Sequence, residues 1–195
     1  MAAFTKCMSK RHPKTLVERL NGVSSIDVFE AAKAIWEKGD PKTLRSVIRT
    51  LRHGERVLNR TAAAYALNLM HGKSAIPALE KAVGDKREHP KVRGQAAESL
   101  AHNHRENSHG VLLRNLKDPS KEVRFWCAFS LAQMGEGDAL IPLRELAARD
   151  QRIVKGFWSV SREANWAIRR IKEGLRHSKR CLFCSKMRKK RARKS

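Results

Sequence analysis

The nine residues from Val92 to Leu100 read VRGQAAESL and place two adjacent alanines between flanking aliphatic side chains. Counted from Arg93, the alanines stand at the third and fourth following positions and leucine at the seventh, which forms one continuous stripe on a helix. The same spacing recurs four more times along the chain, twice closely and twice more loosely. The anchors are Val28, Arg60, Arg93, Arg124 and Ser161, at intervals of 32, 33, 31 and 37 residues. A nearly fixed period of this size is typical of a helical solenoid.

A second set of apolar segments lies between these stripes, and two of its members share an Ile-Pro step, at Ile76-Pro77 and Ile141-Pro142. Proline is tolerated in the first turn of a helix, where its missing N–H has no intrahelical partner. These segments are therefore helix starts, and Gly, Asp and Pro residues fall where the hairpins should end. The sequence predicts repeated helix hairpins and leaves almost nothing for strands.

The chain resembles the HEAT-repeat family, and within it the short-repeat bacterial branch that includes the phycobilin-lyase type. The resemblance is carried by the stretch from Asp118 to Gly135, by the stretch from Val92 to Leu100 and by the two Ile-Pro helices. It implies an all-α fold, a right-handed α-solenoid of about five HEAT-type helix hairpins with armadillo-like architecture, over residues 12–174. Residues 1–11 would form an N-terminal extension, and residues 175–195 a basic, disordered C-terminal tail. The family includes scaffolds, lyases, glycosylases and hydroxylases, so the resemblance indicates fold rather than function.

The chain is strongly basic, with 42 Lys and Arg against 19 Asp and Glu and a formal charge of +23. Ten of the basic residues and no acidic one lie in residues 176–195, so the remainder, with 32 basic and 19 acidic residues, still carries +13. Such a balance favours a polyanionic partner, whether nucleic acid, an acidic protein or an anionic membrane surface. The residues predicted to bind a polyanion are Lys186, Arg188, Lys189, Lys190, Arg191, Arg193 and Lys194.

The sequence shows neither a signal peptide nor an apolar run long enough to cross a bilayer, so we expect a cytoplasmic protein without a transmembrane segment. Four cysteines are too few for a disulfide scaffold of this length. Cys181 and Cys184 have half of a zinc-ligand spacing, and His177 is a candidate third ligand, but a structural zinc site needs four. The sequence therefore predicts no cofactor and no metal.

Side chains one, five and eight positions after each anchor lie within about 60° of one another on the second helix of each hairpin. They form an aromatic and basic stripe, with Glu98 and Glu163 as the nearby carboxylates. If the stripe lines the concave surface, it can stack bases or hold an aromatic side chain of a peptide. Alternatively, its rings pack between neighbouring repeats. The candidate binding residues are Phe29, Trp36, Tyr65, Phe125, Phe129, Arg162, Trp166 and Arg169.

The segment from His89 to Leu100 also resembles the repeat of deoxyhypusine hydroxylases, a HEAT enzyme family that binds two irons through His-Glu pairs directly after a Val-Arg step. Here those two positions hold Gly94 and Gln95, and no His-Glu dipeptide occurs in the sequence. Without paired imidazole and carboxylate ligands, such a metal site cannot form. A HEAT-like family of alkylpurine DNA glycosylases fits the sequence better, because it needs a basic surface, aromatic rings and a carboxylate.

Three functions stay open on the sequence alone. The favoured one is a non-catalytic scaffold or adaptor that binds a protein partner in its concave groove and an anionic partner with its basic tail. One alternative is a nucleic-acid-binding HEAT module, with DNA glycosylase-like activity as its enzymatic form. The other is a subunit similar to the bilin lyases. The sequence predicts no catalytic residue.

Overall fold

The computed structural model describes residues 15–38, 41–68, 74–101 and 106–192. Within these ranges the chain folds into five consecutive helix hairpins. They are α1 (Leu16–Leu20) with α2 (Ser25–Lys38), α3 (Pro41–His53) with α4 (Val57–Leu67), α5 (Ala75–Gly84) with α6 (Pro90–Ser99), α7 (Glu106–Asn115) with α8 (Lys121–Met134), and α9 (Leu140–Arg149) with α10 (Val160–Ala192). A 3₁₀ turn, Gly137–Ala139, precedes α9. The described residues contain no strand, only an isolated β-bridge between Ile153 and Ser159.

The helices are arranged in two layers. The second helices of the hairpins, α2, α4, α6, α8 and α10, pack against one another in that order. The first helices α1, α3, α5 and α7 follow one another in the other layer, and α9 lies against α10. Pro77 and Pro142 both stand in the first turn of their helices, as their Ile-Pro steps predict. The predicted all-α solenoid is therefore confirmed.

The repeated alanines lie in the core between the layers. Ala63 and Ala64 in α4, like Ala96 and Ala97 in α6, have no exposed surface. Because these side chains are small, neighbouring helices approach closely there. At the corresponding position of α8, Cys127 is fully buried, and burial raises the pKa of its thiol. That thiol stays protonated and packs as a small apolar group.

The anchor arginines of the sequence repeat join successive hairpins. Each pairs with a carboxylate in the loop that precedes the second helix of the next hairpin. The pairs are Arg60 with Glu88 at 2.8 Å, Arg93 with Asp118, and Arg124 with Asp150 at 2.6 Å. The side chains of the last two pairs are at most 4% exposed, and breaking a buried ion pair costs about 3–5 kcal/mol. These pairs link each hairpin to the next from α4 to α10.

The C-terminal helix α10 continues from Val160 to Ala192, through the domain boundary predicted at residue 174. The predicted division into an extension, a repeat domain and a tail stays a prediction. None of the helices in the described ranges combines the length and the apolar character needed to cross a bilayer.

Candidate functional site

A cavity of about 450 Å³ opens between α6, α8, α10 and the segment that links α9 to α10. Six aromatic side chains form most of its wall: Phe125, Trp126, Phe129, Phe157, Trp158 and Trp166. Two glutamates and two arginines complete the lining: Glu98, Glu163, Arg162 and Arg169. The cavity, hereafter the aromatic pocket, has the size and the mixture of apolar walls and few polar groups that small-ligand sites share.

The aromatic rings pack on one another to form a continuous wall. Phe129 and Trp166 stack with their planes at 8° and their centroids 5.9 Å apart. Trp126 stands edge-on to Phe129 at 5.7 Å and to Phe157 at 5.2 Å. Phe125 lies behind Trp126 and is 2% exposed. The rings therefore pack between repeats and also line a cavity, which are the two arrangements that the sequence left open.

Glu163 is the most deeply buried polar side chain of the pocket, with 1% of its surface exposed. The indole N–H of Trp158 donates a hydrogen bond of 2.7 Å to Oε2 of Glu163. The other carboxyl oxygen, Oε1, is buried and has no hydrogen-bond partner among the described residues. Burial raises the pKa of this carboxyl, and the hydrogen bond from Trp158 opposes the rise. An unpaired buried oxygen costs stability, and a donor on a bound ligand would satisfy it.

The second carboxyl of the pocket, that of Glu98, comes from α6. Gln95 donates a hydrogen bond of 2.8 Å to it, and burial raises its pKa. The two arginines of the pocket, Arg162 and Arg169, lie on α10 and are exposed. The guanidinium of Arg162 lies 5.1 Å from the ring centre of Trp158, a cation–π contact. The interior of the pocket thus carries the acidic groups and its rim carries the basic ones.

The segment between α9 and α10 supplies Phe157 and Trp158, which the sequence prediction missed. It is held at its base by backbone hydrogen bonds, from the Ser161 N–H to the Asp150 carbonyl at 2.7 Å and from Val160 to Arg152 at 3.0 Å. The signal that could have found these residues is the repeat interval itself, which is 37 residues here against 31 to 33 elsewhere. The additional residues form the segment that closes one side of the pocket.

The structure brings together five of the eight candidate stripe residues. Phe125, Phe129, Arg162, Trp166 and Arg169 all line the aromatic pocket. Phe29 and Tyr65 contact each other instead, with ring centroids 6.5 Å apart, on α2 and α4. The remaining side chains lie outside the described ones: Trp36, His177, Cys181, Cys184, Lys186, Arg188, Lys189, Lys190, Arg191, Arg193 and Lys194.

The two-iron site implied by the resemblance to deoxyhypusine hydroxylases does not fit this pocket. A Cβ added at Gly94 would lie 2.9 Å from Cδ1 of Trp126, so this position has no room for an imidazole. The pair after Arg124 consists of two aromatic residues, and the pair after Ser161 holds the single carboxylate of Glu163. Within the described part of the chain, no three His, Cys, Asp or Glu side chains are grouped as metal ligands would be. Of the three pairs after Arg93, Arg124 and Ser161, none supplies the imidazole and carboxylate that such a site needs.

Two similar proteins are named as enzymes. The chain is 33% identical to deoxyhypusine hydroxylase of Arabidopsis thaliana over 124 residues, which is 62% of this chain and 39% of that protein. It is 36% identical to deoxyhypusine hydroxylase-B of Oryza sativa subsp. japonica over 93 residues, 47% of this chain and 30% of that protein. The matched region thus spans well under half the length of either relative. The prediction of a non-catalytic scaffold was wrong by this comparison, because both of these similar proteins are named as enzymes.

A family model described as HEAT repeats matches residues 13–101 and again residues 85–156. The two matches together span most of the solenoid, from before α1 to the segment that precedes α10. This region contains the anchor arginines and the buried alanine pairs of α4 and α6. The helix α10 follows it and packs on α8 as each second helix packs on the one before. This chain belongs to the HEAT-repeat family.

Proposed function

We propose that the aromatic pocket is the substrate site of a HEAT-repeat enzyme and that it binds the alkylammonium group of a modified side chain on a protein substrate. The observation that carries the proposal is the carboxyl of Glu163, which is buried against aromatic rings with Oε1 unpaired. The residues directly after Arg93, Arg124 and Ser161 do not fit the metal ligands that a hydroxylation would need, so the role proposed for the pocket is substrate recognition.

The walls of the pocket have the chemistry that binds organic cations. The faces of Trp and Phe rings carry negative electrostatic potential, and each cation–π contact contributes about 0.5–2 kcal/mol, more when water is excluded. Trp126, Phe129 and Trp166 all present rings to the cavity. An ammonium group among these rings can reach a carboxylate in an environment of low dielectric constant, where the attraction is stronger than in water. The rings and the carboxylates therefore favour the same kind of ligand.

Glu163 gains from such a ligand in two ways. An ammonium N–H donates to Oε1, which otherwise lacks a partner, and its positive charge offsets the cost of a buried carboxylate. Glu98 adds a second acidic group to the same cavity. The related proteins support the choice of substrate, because they are named for deoxyhypusine, a lysine-derived residue that bears amino groups.

The test is a titration of the chain with a peptide that carries one deoxyhypusine residue, followed by tryptophan fluorescence, with the peptide that carries alanine in its place as reference. Glu163→Gln should weaken binding about 10- to 100-fold, because a hydrogen bond to a charged group contributes about 1.5–3 kcal/mol. Glu145→Gln, which changes an exposed carboxylate on α9, should leave the affinity unchanged. Equal affinity of the two peptides, or equal weakening by both variants, would refute the proposal.

A further inference from the structure

Three arginines form a row along α10 that begins at the aromatic pocket. Arg162, Arg169 and Arg176 are seven residues apart, which is about 10 Å along a helix and nearly two full turns, so they lie on the same side. All three are exposed. Arg162 and Arg169 line the pocket, and Arg176 lies one step farther along the helix. The row, hereafter the arginine row, therefore extends outward from the proposed substrate site.

None of the guanidinium groups of the row forms an ion pair with a described carboxylate, whereas the anchor arginines are all paired. Arg162 lies over the face of Trp158, and stacking leaves the N–H edges of a guanidinium available to an anion. Glu173 is exposed on the same side of the helix and lowers the charge of this strip without cancelling it.

Electrostatics impose a requirement on any cationic substrate of this chain. The chain carries a formal charge of +23, so a free amine is repelled at long range before it can reach Glu163. An acidic protein that carries the same amine is attracted instead. Carboxylates also match guanidinium groups geometrically, since each can accept two parallel hydrogen bonds. The extended backbone of a peptide advances about 10 Å in three residues, so a short acidic segment can reach successive arginines of the row.

We infer that the arginine row binds an acidic segment of the protein substrate that flanks the amine-bearing residue in the aromatic pocket. This inference rests on the proposed function and adds the chemistry of the partner to it. A polypeptide suits the site better than a nucleic acid, because it places carboxylates on the arginines and a cation beside Glu98 and Glu163. A phosphodiester strand has only anionic charge to bring to these two glutamates.

The experiment uses the full chain and two labelled peptides that share one central deoxyhypusine residue. One peptide has Asp and Glu on both sides of it, and the other has Ser and Gln. By fluorescence anisotropy at low salt, the acidic peptide should bind at least about tenfold more tightly, and the ratio should fall toward one at high salt because screening weakens exposed charge pairs. Arg169→Gln/Arg176→Gln should reduce the ratio to below about threefold. Arg144→Gln/Arg149→Gln, which removes two exposed arginines of α9, should preserve it.

The outcomes separate the inference from the proposed function. A ratio near one in the unaltered chain, with both peptides still dependent on Glu163, would overturn the arginine row as a binding surface and leave the pocket as the substrate site. Loss of any dependence on Glu163 would overturn the proposed function itself. If a single-stranded oligonucleotide binds through Arg169 and Arg176 and the acidic peptide does not, the row is a nucleic-acid surface and the inference is wrong.

Discussion

The indole N–H of Trp158 and the carboxyl of Glu163 lie 2.7 Å apart, and this hydrogen bond connects the segment before α10 to the first turns of that helix. It occupies Oε2 of the carboxyl and leaves Oε1 buried without a partner among the described residues. Trp158 also supports the guanidinium of Arg162 on its ring face. A single side chain thus orients the acidic group of the interior and a basic group of the rim.

Trp158→Phe should remove the hydrogen bond while keeping an aromatic ring. Because Glu163 then has two unpaired buried oxygens, we expect the free energy of unfolding to fall by about 1–3 kcal/mol. The pKa of Glu163 should rise further, since the lost hydrogen bond is what opposes the effect of burial. Urea denaturation and carboxyl ¹³C titration by NMR measure the two effects. Trp166→Phe is the control, because it changes an indole of the pocket that does not form this hydrogen bond, and it should leave the pKa of Glu163 unchanged. An unchanged Glu163 pKa in Trp158→Phe would contradict the prediction.

Glu163→Gln should make the protein more stable at pH 8 and less able to bind the alkylammonium peptide. Burial raises the folded-state pKa of Glu163 above its unfolded value, so the stability that its neutral form provides is present at low pH and is lost as pH rises through the folded pKa. Glutamine stays neutral throughout. The stability of the variant should therefore exceed that of the unaltered chain at pH 8 and approach it toward pH 4.

Binding should have the opposite pH dependence in the unaltered chain. Because the alkylammonium group needs the ionised carboxylate, affinity should increase as pH rises through the raised pKa of Glu163. Thermal unfolding and peptide titration at matched pH values test both trends, with Glu145→Gln as the control for surface charge. A variant that is less stable than the unaltered chain at pH 8 would show that Glu163 is held by contacts other than those described.

The sequence was sufficient to predict the repeats, because the local spacing of small and apolar residues determines which face of each helix is buried. Alanines three and four positions after an anchor must share a helix face, and Ala96 and Ala97 are fully buried as that spacing requires. The same geometry placed Phe129 and Trp166 on corresponding faces of neighbouring helices, where they stack. Helix periodicity alone is therefore enough to identify five of the residues that line the pocket.

The rest of the site depends on contacts that periodicity does not encode. Phe157 and Trp158 lie in a segment outside the repeats, so no stripe position contains them. The pairing of Trp158 with Glu163 depends on how that segment folds back over α10. Phe29 and Tyr65 satisfy the same pattern and still lie apart from the pocket, because the pattern fixes the face of a helix but not which neighbours surround a cavity. The acidic interior of the pocket likewise forms only when the chain folds, so no spacing in the sequence predicts it.

Gly94→Ala should disturb the pocket through Trp126. The added Cβ would lie 2.9 Å from Cδ1 of the indole, so the ring has to move out of its position in the wall. Gly84→Ala is the matched control, because a Cβ there has no neighbour within 4 Å. Both substitutions gain helix propensity, and the steric conflict should make Gly94→Ala less stable than the control by about 1–3 kcal/mol. Peptide affinity should fall in Gly94→Ala alone, and equal affinities in both variants would mean that Trp126 does not shape the binding site.

Asp118→Asn should destabilise the solenoid in its middle. Its carboxylate is fully buried and pairs with Arg93, whose side chain is 3% exposed, and Lys86 donates to the same group. Burial alone would raise the pKa of Asp118, but the hydrogen bonds from Arg93 and Lys86 outweigh it and hold the pKa below its ordinary value. The variant leaves a buried guanidinium without its counter-charge, which costs about 3–5 kcal/mol at pH 7.

The pH dependence of that loss follows from the lowered pKa. The carboxylate contributes its stability above the unfolded pKa and loses it as pH falls through the folded pKa, so the difference between Asp118→Asn and the unaltered chain should shrink in acid. Asp85→Asn is the control, because its partner Arg87 is 93% exposed and the pair should add little at any pH. Urea denaturation from pH 3 to pH 7 separates the two variants. Equal, small losses of unfolding free energy in both variants would show that the buried arginine pairs do not hold one repeat on the next. The alignment of α6, α8 and α10 around the pocket would then depend on apolar packing alone.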